Sequence, residues 1–175
     1  ILDQPGLQLD FLIGRRMLRN LSVRNLVLID SLDLEFGPGL CVLTGETGAG
    51  KSILLDALGL ALGARGDAQL VRHGTESASV SASFELTAGH TAWALLEAQG
   101  FDFTDVLILR RVLGADGRSR AFANGQPASV AWLREVGSSL VEIENQSASG
   151  GLLDPRNHRA LLDSFAANEK QRAHT

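Results

Sequence analysis

The chain holds a single cysteine, so no internal disulfide can form. Cys41 lies in an apolar, strand-like run, where a thiol is expected to behave as a small buried hydrophobe, and a reducing cytoplasm is the expected setting. Tyrosine is absent, and lysine occurs only twice, one of the two being Lys51. The four histidines, His73, His90, His158 and His174, are scattered without ligand-like spacing, which argues against a structural metal site and against imidazole catalysis. No apolar run approaches the roughly 20 residues that span a bilayer. The longest, Ile53 to Leu62, is broken by Asp56 and Gly59, so no membrane partner is expected. The chain also lacks a basic excess: its net charge of −4 excludes coating nucleic acid by bulk electrostatics, and any such contact needs a local patch.

What is present suits one folded domain. Apolar residues make up 45% and charged residues 21% of 175, near the globular average. Residues 1–16 read as an extension outside the fold, without the basic start and small-residue cleavage site of a signal peptide. Residues 17–154 carry the domain, and 155–175 read as a terminal helix with Leu161, Leu162, Phe165 and Ala166 on one stripe. Leu18, Leu21, Val23, Leu26, Leu28, Leu32, Leu34 and Phe36 recur mostly at alternate positions, which predicts strands with one buried face. Leu40 to Leu43 is short and continuously apolar, as for a central strand covered on both faces. A helix is predicted over 52–62, ended by Gly63, then a strand with Val80, Ala82, Phe84 and Leu86 inward. A short helix over 91–99, closed by Gly100, leads to a hairpin of 106–113 and 118–124. After the Asn124-Gly125 turn, Ser129 is placed to cap a helix stopping near Gly137, and Leu140 to Ile143 reads as a further strand.

Between the predicted central strand and the helix at 52–62 lies Gly45-Glu46-Thr47-Gly48-Ala49-Gly50-Lys51-Ser52, the pattern G-x-x-x-x-G-K-[ST]. Its glycines let backbone N–H groups curl around phosphate oxygens, and the helix N-terminus adds positive potential. Lys51 is expected to reach the β and γ phosphates, and Ser52 to place its hydroxyl on the bridging Mg²⁺. Strand, loop, helix is the context this motif needs, so a nucleoside triphosphate is the expected ligand. The loop grips phosphates and ignores the ring. Downstream, Arg110, Arg111, Arg118 and Arg120 concentrate positive charge on the predicted hairpin, a candidate contact for DNA phosphates despite the acidic total.

Leu18 to Asn25, Leu32 to Gly45 and the loop itself, followed by Leu58-Gly59-Leu60-Ala61-Leu62-Gly63 and Arg65, resemble the start of the RecN family of bacterial DNA repair proteins, relatives of the SMC ATPases. The likeness continues through Leu70-Val71-Arg72-His73-Gly74, Gly117 to Gly125, Leu140 to Ile143 and Leu152-Leu153-Asp154-Pro155, and covers Met17 to about Phe165. The resemblance implies an α/β P-loop NTPase fold, the N-terminal lobe of an ABC/SMC-type head with a mixed sheet and an antiparallel β subdomain. The helix after Pro155 would root a coiled coil. It further implies ATP with Mg²⁺, a C-terminal lobe of the same protein, a second head joined in an ATP-dependent homodimer, DNA as partner, and a cytoplasmic, nucleoid-associated setting. By the same resemblance Gln146 matches the Q-loop glutamine that helps hold Mg²⁺ and senses the γ phosphate, although Glu144-Asn145-Gln146-Ser147 departs from the family's usual His-Gly-Gln-His. Arg72 matches the arginine of the SMC R-loop, linked to the nucleotide site and to DNA contact.

Two look-alikes are set aside. Leu26-Val27-Leu28-Ile29-Asp30 has the apolar-then-acid form of a Walker B strand, yet it precedes the loop and lacks a following Glu. Ser147-Ala148-Ser149-Gly150-Gly151 resembles an ABC signature but follows Gln146 with no room for the intervening helical segment. No general base is visible, so this chain alone is expected to show negligible ATPase activity. The rival readings are a stand-alone P-loop kinase or NTPase, which would need a Walker B acid and a basic lid, and a nucleotide-sensing or scaffold module, such as another SMC-like lobe or a transporter-type lobe. The transporter-type lobe would want an aromatic residue to stack on adenine, and Phe36, the nearby candidate, sits at a core-like alternating position.

Overall fold

The computed structural model describes residues 17–39, 41–42, 48–101, 105–141 and 143. Strand β1 (Met17–Leu26) turns through Val27 and Leu28 into β2 (Ile29–Glu35), with Leu26 opposite Ile29 across a two-residue turn. Alternation sends Leu21 and Val23 inward, where both are buried. Leu28 was expected on that face; it occupies the turn instead and is 78% exposed. Val27 takes φ +49 and Asn25 φ +52, a left-handed conformation costly for a β-branched residue. Its surroundings hold it there: the Val27 amide donates to Leu70 O at 2.8 Å, and the Arg72 amide donates to Asn25 O at 2.9 Å.

Helix α1 (Gly48–Ala61) ends as predicted at Gly63, whose φ is +89. Its buried residues are Ala57, Leu58, Leu60 and Ala61. A 3₁₀ turn (Ala68–Leu70) capped by Asp67 leads to β3 (Ser77–Glu85), whose burial alternates without a break from Ala78 to Phe84. Helix α2 (Thr91–Gln99) is capped by His90, whose Nδ1 accepts from the Ala92 amide at 3.0 Å, and is closed by Gly100 at φ +70. Strands β4 (Val106–Gly114) and β5 (Ser119–Ala123) form the predicted hairpin. The Asn124-Gly125 turn, φ +47 and +81, returns the chain into a three-residue edge strand, β6 (Gln126–Ala128), which contains Pro127 and is absent from the elements predicted above. Proline is tolerated at an edge, where no ladder donor is required of it.

Helix α3 (Val130–Leu140) starts at Ser129, whose Oγ accepts from the Trp132 amide at 3.1 Å. It runs through Gly137 rather than stopping there. The glycine serves close packing: a Cβ at this position would lie 2.6 Å from Leu62 O and 2.9 Å from Leu62 Cβ. Leu140, expected to open a strand, is instead the buried last residue of α3.

The six strands form one sheet in the order β2-β1-β3-β4-β5-β6, and every pairing among the described residues is antiparallel. Among the described residues the sheet is thus antiparallel throughout, where a mixed sheet was expected, and it lies within one compact unit, Arg15–Val141. Helix α1 packs on β1, β3 and β4, and α3 packs on β5 and α2, all on the face that carries Val23, Val80, Phe84, Leu107 and Leu109. Cys41 and Val42 belong to no strand and both are exposed, which corrects the expectation of a covered central strand and of a buried thiol. A central strand needs neighbours on both sides, and no described strand flanks these two residues. No helix among the described residues is long and apolar enough to cross a membrane.

Candidate nucleotide site and its surroundings

The described part of the glycine-rich loop is the first turn of α1. Gly48 and Ala49 have helical backbone, and Gly50, Lys51 and Ser52 follow with all three exposed. A helix start leaves its first N–H groups without intrahelical acceptors and concentrates positive potential there. No acidic residue in the first turn offsets that potential, and Lys51 adds a full charge to it. The arrangement fits an anionic group such as a polyphosphate, with Ser52 on the same turn. Gly45, Glu46 and Thr47 lie outside the described residues, as do Gln146, the signature-like run from Ser147, and the helix expected after Pro155. Apolar surface flanks the turn: Val42 before the loop is 70% exposed, and Leu55, on α1 itself, is 40% exposed.

Arg72 is held by its main chain. Its carbonyl accepts from the Thr75 hydroxyl at 2.8 Å and from the Thr75 amide at 3.1 Å, while its own amide is tied to Asn25. The guanidinium lies 3.6 Å from Asp30, the acid of the Walker B look-alike. Asp30 is thus a largely solvated partner of this arginine.

The hairpin arginines divide between two faces. Arg110 and Arg120 are exposed, and because Arg110 stands opposite Phe122 and Arg120 opposite Val112, the two share the sheet face that no described helix covers. Arg118, in the turn, is exposed with Asp116 at 3.5 Å. Arg111 does not join them, a correction to the predicted surface cluster. It is 4% exposed, on the covered face with Leu109 and Leu113, because successive strand residues point to opposite sides. Its Nε donates to Ser119 Oγ at 2.7 Å, and burial, followed by the charge of Arg134, pushes its pKa below the usual arginine value. Sequence reasoning did not single out Arg134, an exposed residue of α3 whose Nε donates to Gly63 O at 3.3 Å; nothing in its spacing marks it. On the open face, Arg24 grips both oxygens of Asp33, at 2.9 and 2.7 Å. Hydrogen bonds from Arg24 and then Ser22 hold the Asp33 carboxyl below its ordinary pKa.

The family model that matches is described as an AAA domain and covers residues 20–129. The chain belongs to that family. It is 43% identical over 156 residues to the DNA repair protein RecN of Xylella fastidiosa (strain 9a5c), a match that takes in 89% of this chain and 28% of that protein. The likeness is to the N-terminal region of RecN, and the chain spans about 28% of this relative's length. Among solved structures, the Smc head domain with a coiled coil and joint from Pyrococcus yayanosii superposes with a TM-score of 0.60 at 20% identity, covering 89% of this chain and 33% of that one. A chain from work on the ATP-driven dimerisation and DNA-stimulated activation of SMC ATPases gives a TM-score of 0.57 at 20% identity, covering 85% of this chain and 98% of that one. The fold is the α/β fold of SMC-type ATPase heads.

Proposed function

We propose that this chain is the ATP-binding N-terminal lobe of an SMC-like ATPase head that acts in recombinational repair of DNA double-strand breaks. The observation that carries the reading is the GETGAGKS run opening α1, with Lys51 and Ser52 exposed on its first turn, in a chain 43% identical to a RecN protein. Lys51 and the loop amides from Gly45 to Gly50 would neutralise charge on the β and γ phosphates, which is most of what phosphoryl transfer asks of a protein. Ser52 and Gln146 would hold Mg²⁺, which would supply further neutralisation of phosphate charge. Arg72, braced by Asn25 and Thr75, fits an R-loop role beside the nucleotide.

The remaining catalytic groups would come from a C-terminal lobe of the same protein, reached through a coiled coil rooted after Pro155. Exposed Val42 and Leu55 give that lobe apolar surface to cover on both sides of the loop. ATP would join two such heads and hydrolysis would part them, regulating the grip on DNA in the cytoplasm, at the nucleoid. Arg110, Arg118 and Arg120, exposed on the β4–β5 hairpin, are the residues of this lobe suited to the DNA backbone. A stand-alone kinase is not favoured, because the likeness to RecN runs through 89% of the chain.

The test is ATP turnover. This chain alone should hydrolyse ATP at background rate, and adding the remaining part of the protein should produce turnover that Lys51→Ala abolishes. Robust turnover by the purified chain alone, lost on Lys51→Ala, would contradict the divided-head reading.

A further inference from the structure

Strand β5 places its residues against the usual preference. Ala121 and Ala123, 4% and 0% exposed, take the covered positions, while Phe122 between them stands on the open face and is only half-buried. A strand built for its core alone would put the ring inside and the small residues outside, and a shift of one residue would exchange the two sets. On the open face, Arg110 of β4 and Pro127 of β6 stand directly opposite Phe122, and Arg120 precedes it by two residues on β5. Directly opposed residues have Cβ atoms about 5 Å apart, and residues two apart along a strand are separated by about 7 Å. The ring is therefore flanked by guanidinium groups on two sides, with the exposed Ile108 next along β4.

The charge on this face is uneven. Towards β1 and β2 the arginines are neutralised, Arg24 by Asp33 and Arg19 by Glu85. Arg110 and Arg120 have no ion-pair partner among the described residues. The stretches Val106–Val112 of β4 and Arg120–Phe122 of β5 hold no carboxylate at all. Two unpaired cations with a ring between them complement a chain of phosphates that also carries flat, unpaired bases: the guanidinium groups take the backbone charge, and the ring takes the face of a base. Duplex DNA offers the same phosphates, but its base faces are already covered by stacking within the helix, so the ring gains nothing from it.

On the reading that the hairpin arginines contact DNA, we propose that Phe122 is a stacking platform for an unpaired base, so that this face distinguishes a single strand from a duplex. Arg110 and Arg120 supply the charge that both forms share, and Phe122 supplies the difference between them.

The experiment measures binding of this chain, by fluorescence anisotropy over a range of salt concentrations, to a labelled strand of thymidines and to the same strand annealed to its adenine complement. The single strand should bind the more tightly. Phe122→Leu should weaken it by roughly tenfold, the scale of one lost base–ring stack, while duplex affinity changes by less than about twofold. Its salt slope should be unchanged, because no charge is lost. Phe122→Trp, which keeps a stacking surface, should bind the strand at least as tightly as the parent. Arg110→Gln should weaken both forms and lower the salt slope of each by about 1. Phe122→Ile, a residue that strands accept readily, repeats the test should Phe122→Leu not fold. Equal weakening of strand and duplex on losing the ring, or none, would overturn the stacking role and leave the backbone contact standing. Failure of the folded parent to bind either form would overturn both readings of this face, and a dimer dispersed by Phe122→Leu would then identify a second copy as its occupant.

Discussion

Strand β4 runs between two environments, and the neighbours Arg110 and Arg111 differ only in which one they meet. On the covered face, Leu107, Leu109 and Leu113 pack beneath the helices, and a guanidinium there is buried with one terminal nitrogen unsatisfied. On the open face, Val106, Ile108 and Arg110 look outward across from Ser83 and Ser81 of β3, and a guanidinium there keeps its water. One residue step changes an arginine from a solvated contact group into a structural constraint. Apolar burial accumulates on the first face, at about 25 cal/mol per Å² removed from water, while the second stays open to solvent.

Truncating the covered face should cost most. Phe84→Ala, at a fully buried side chain of β3, should lower unfolding free energy by about 3–5 kcal/mol in denaturant titrations. Ile108→Ala on the open face, at 42% exposure, should cost under about 1 kcal/mol. Equal losses would erase the distinction between the faces. A smaller effect is expected in binding: Arg110→Gln or Arg120→Gln should weaken DNA binding uniformly across sequences and reduce the salt slope by about 1 each, leaving the melting temperature nearly unchanged. A sequence-dependent loss, or none, would remove the open hairpin face from the DNA contact.

Smallest is the pH effect of the Arg24–Asp33 pair, which is solvent-exposed. The folded pKa of Asp33 is lowered, so its stabilisation is present above the unfolded value, near 3.9, and is lost as pH falls through the folded value. Asp33→Asn should therefore cost a little stability at neutral pH, and that small difference should vanish as pH falls through the folded value of Asp33, which makes the acid limb flatter in the variant. A difference that grows as pH falls below about 4 would contradict this sign.

Alternation made the covered face of β3 legible, because Val80, Ala82, Phe84 and Leu86 follow period two with serines and Glu85 between them. Turn chemistry did the same for Gly63, Gly100 and Asn124-Gly125, where positive φ is required. The same local rules failed where tertiary packing decided. Gly137 looks like a helix stop but exists so that α3 can approach Leu62. Leu28 fits the apolar rhythm but falls in a turn fixed by contact with residues near Leu70. Arg111 shares the odd-numbered face with Leu107, Leu109 and Leu113, so its burial was readable; its charge suggested a surface instead. The glycine-rich loop could be read because its pattern is local, five residues before Gly50 and two after it. The setting of Arg72 was not, since it depends on Asn25 and Asp30, which reach it only through the fold.

Calorimetric titration of ATP·Mg²⁺ into this chain and its Lys51→Ala variant addresses the first turn of α1 directly. The expected result is saturable binding that weakens by at least roughly tenfold on losing the lysine, as removal of a charge-assisted phosphate contact requires. Equal affinity for the two proteins, with both folded, would show that this turn does not hold the triphosphate.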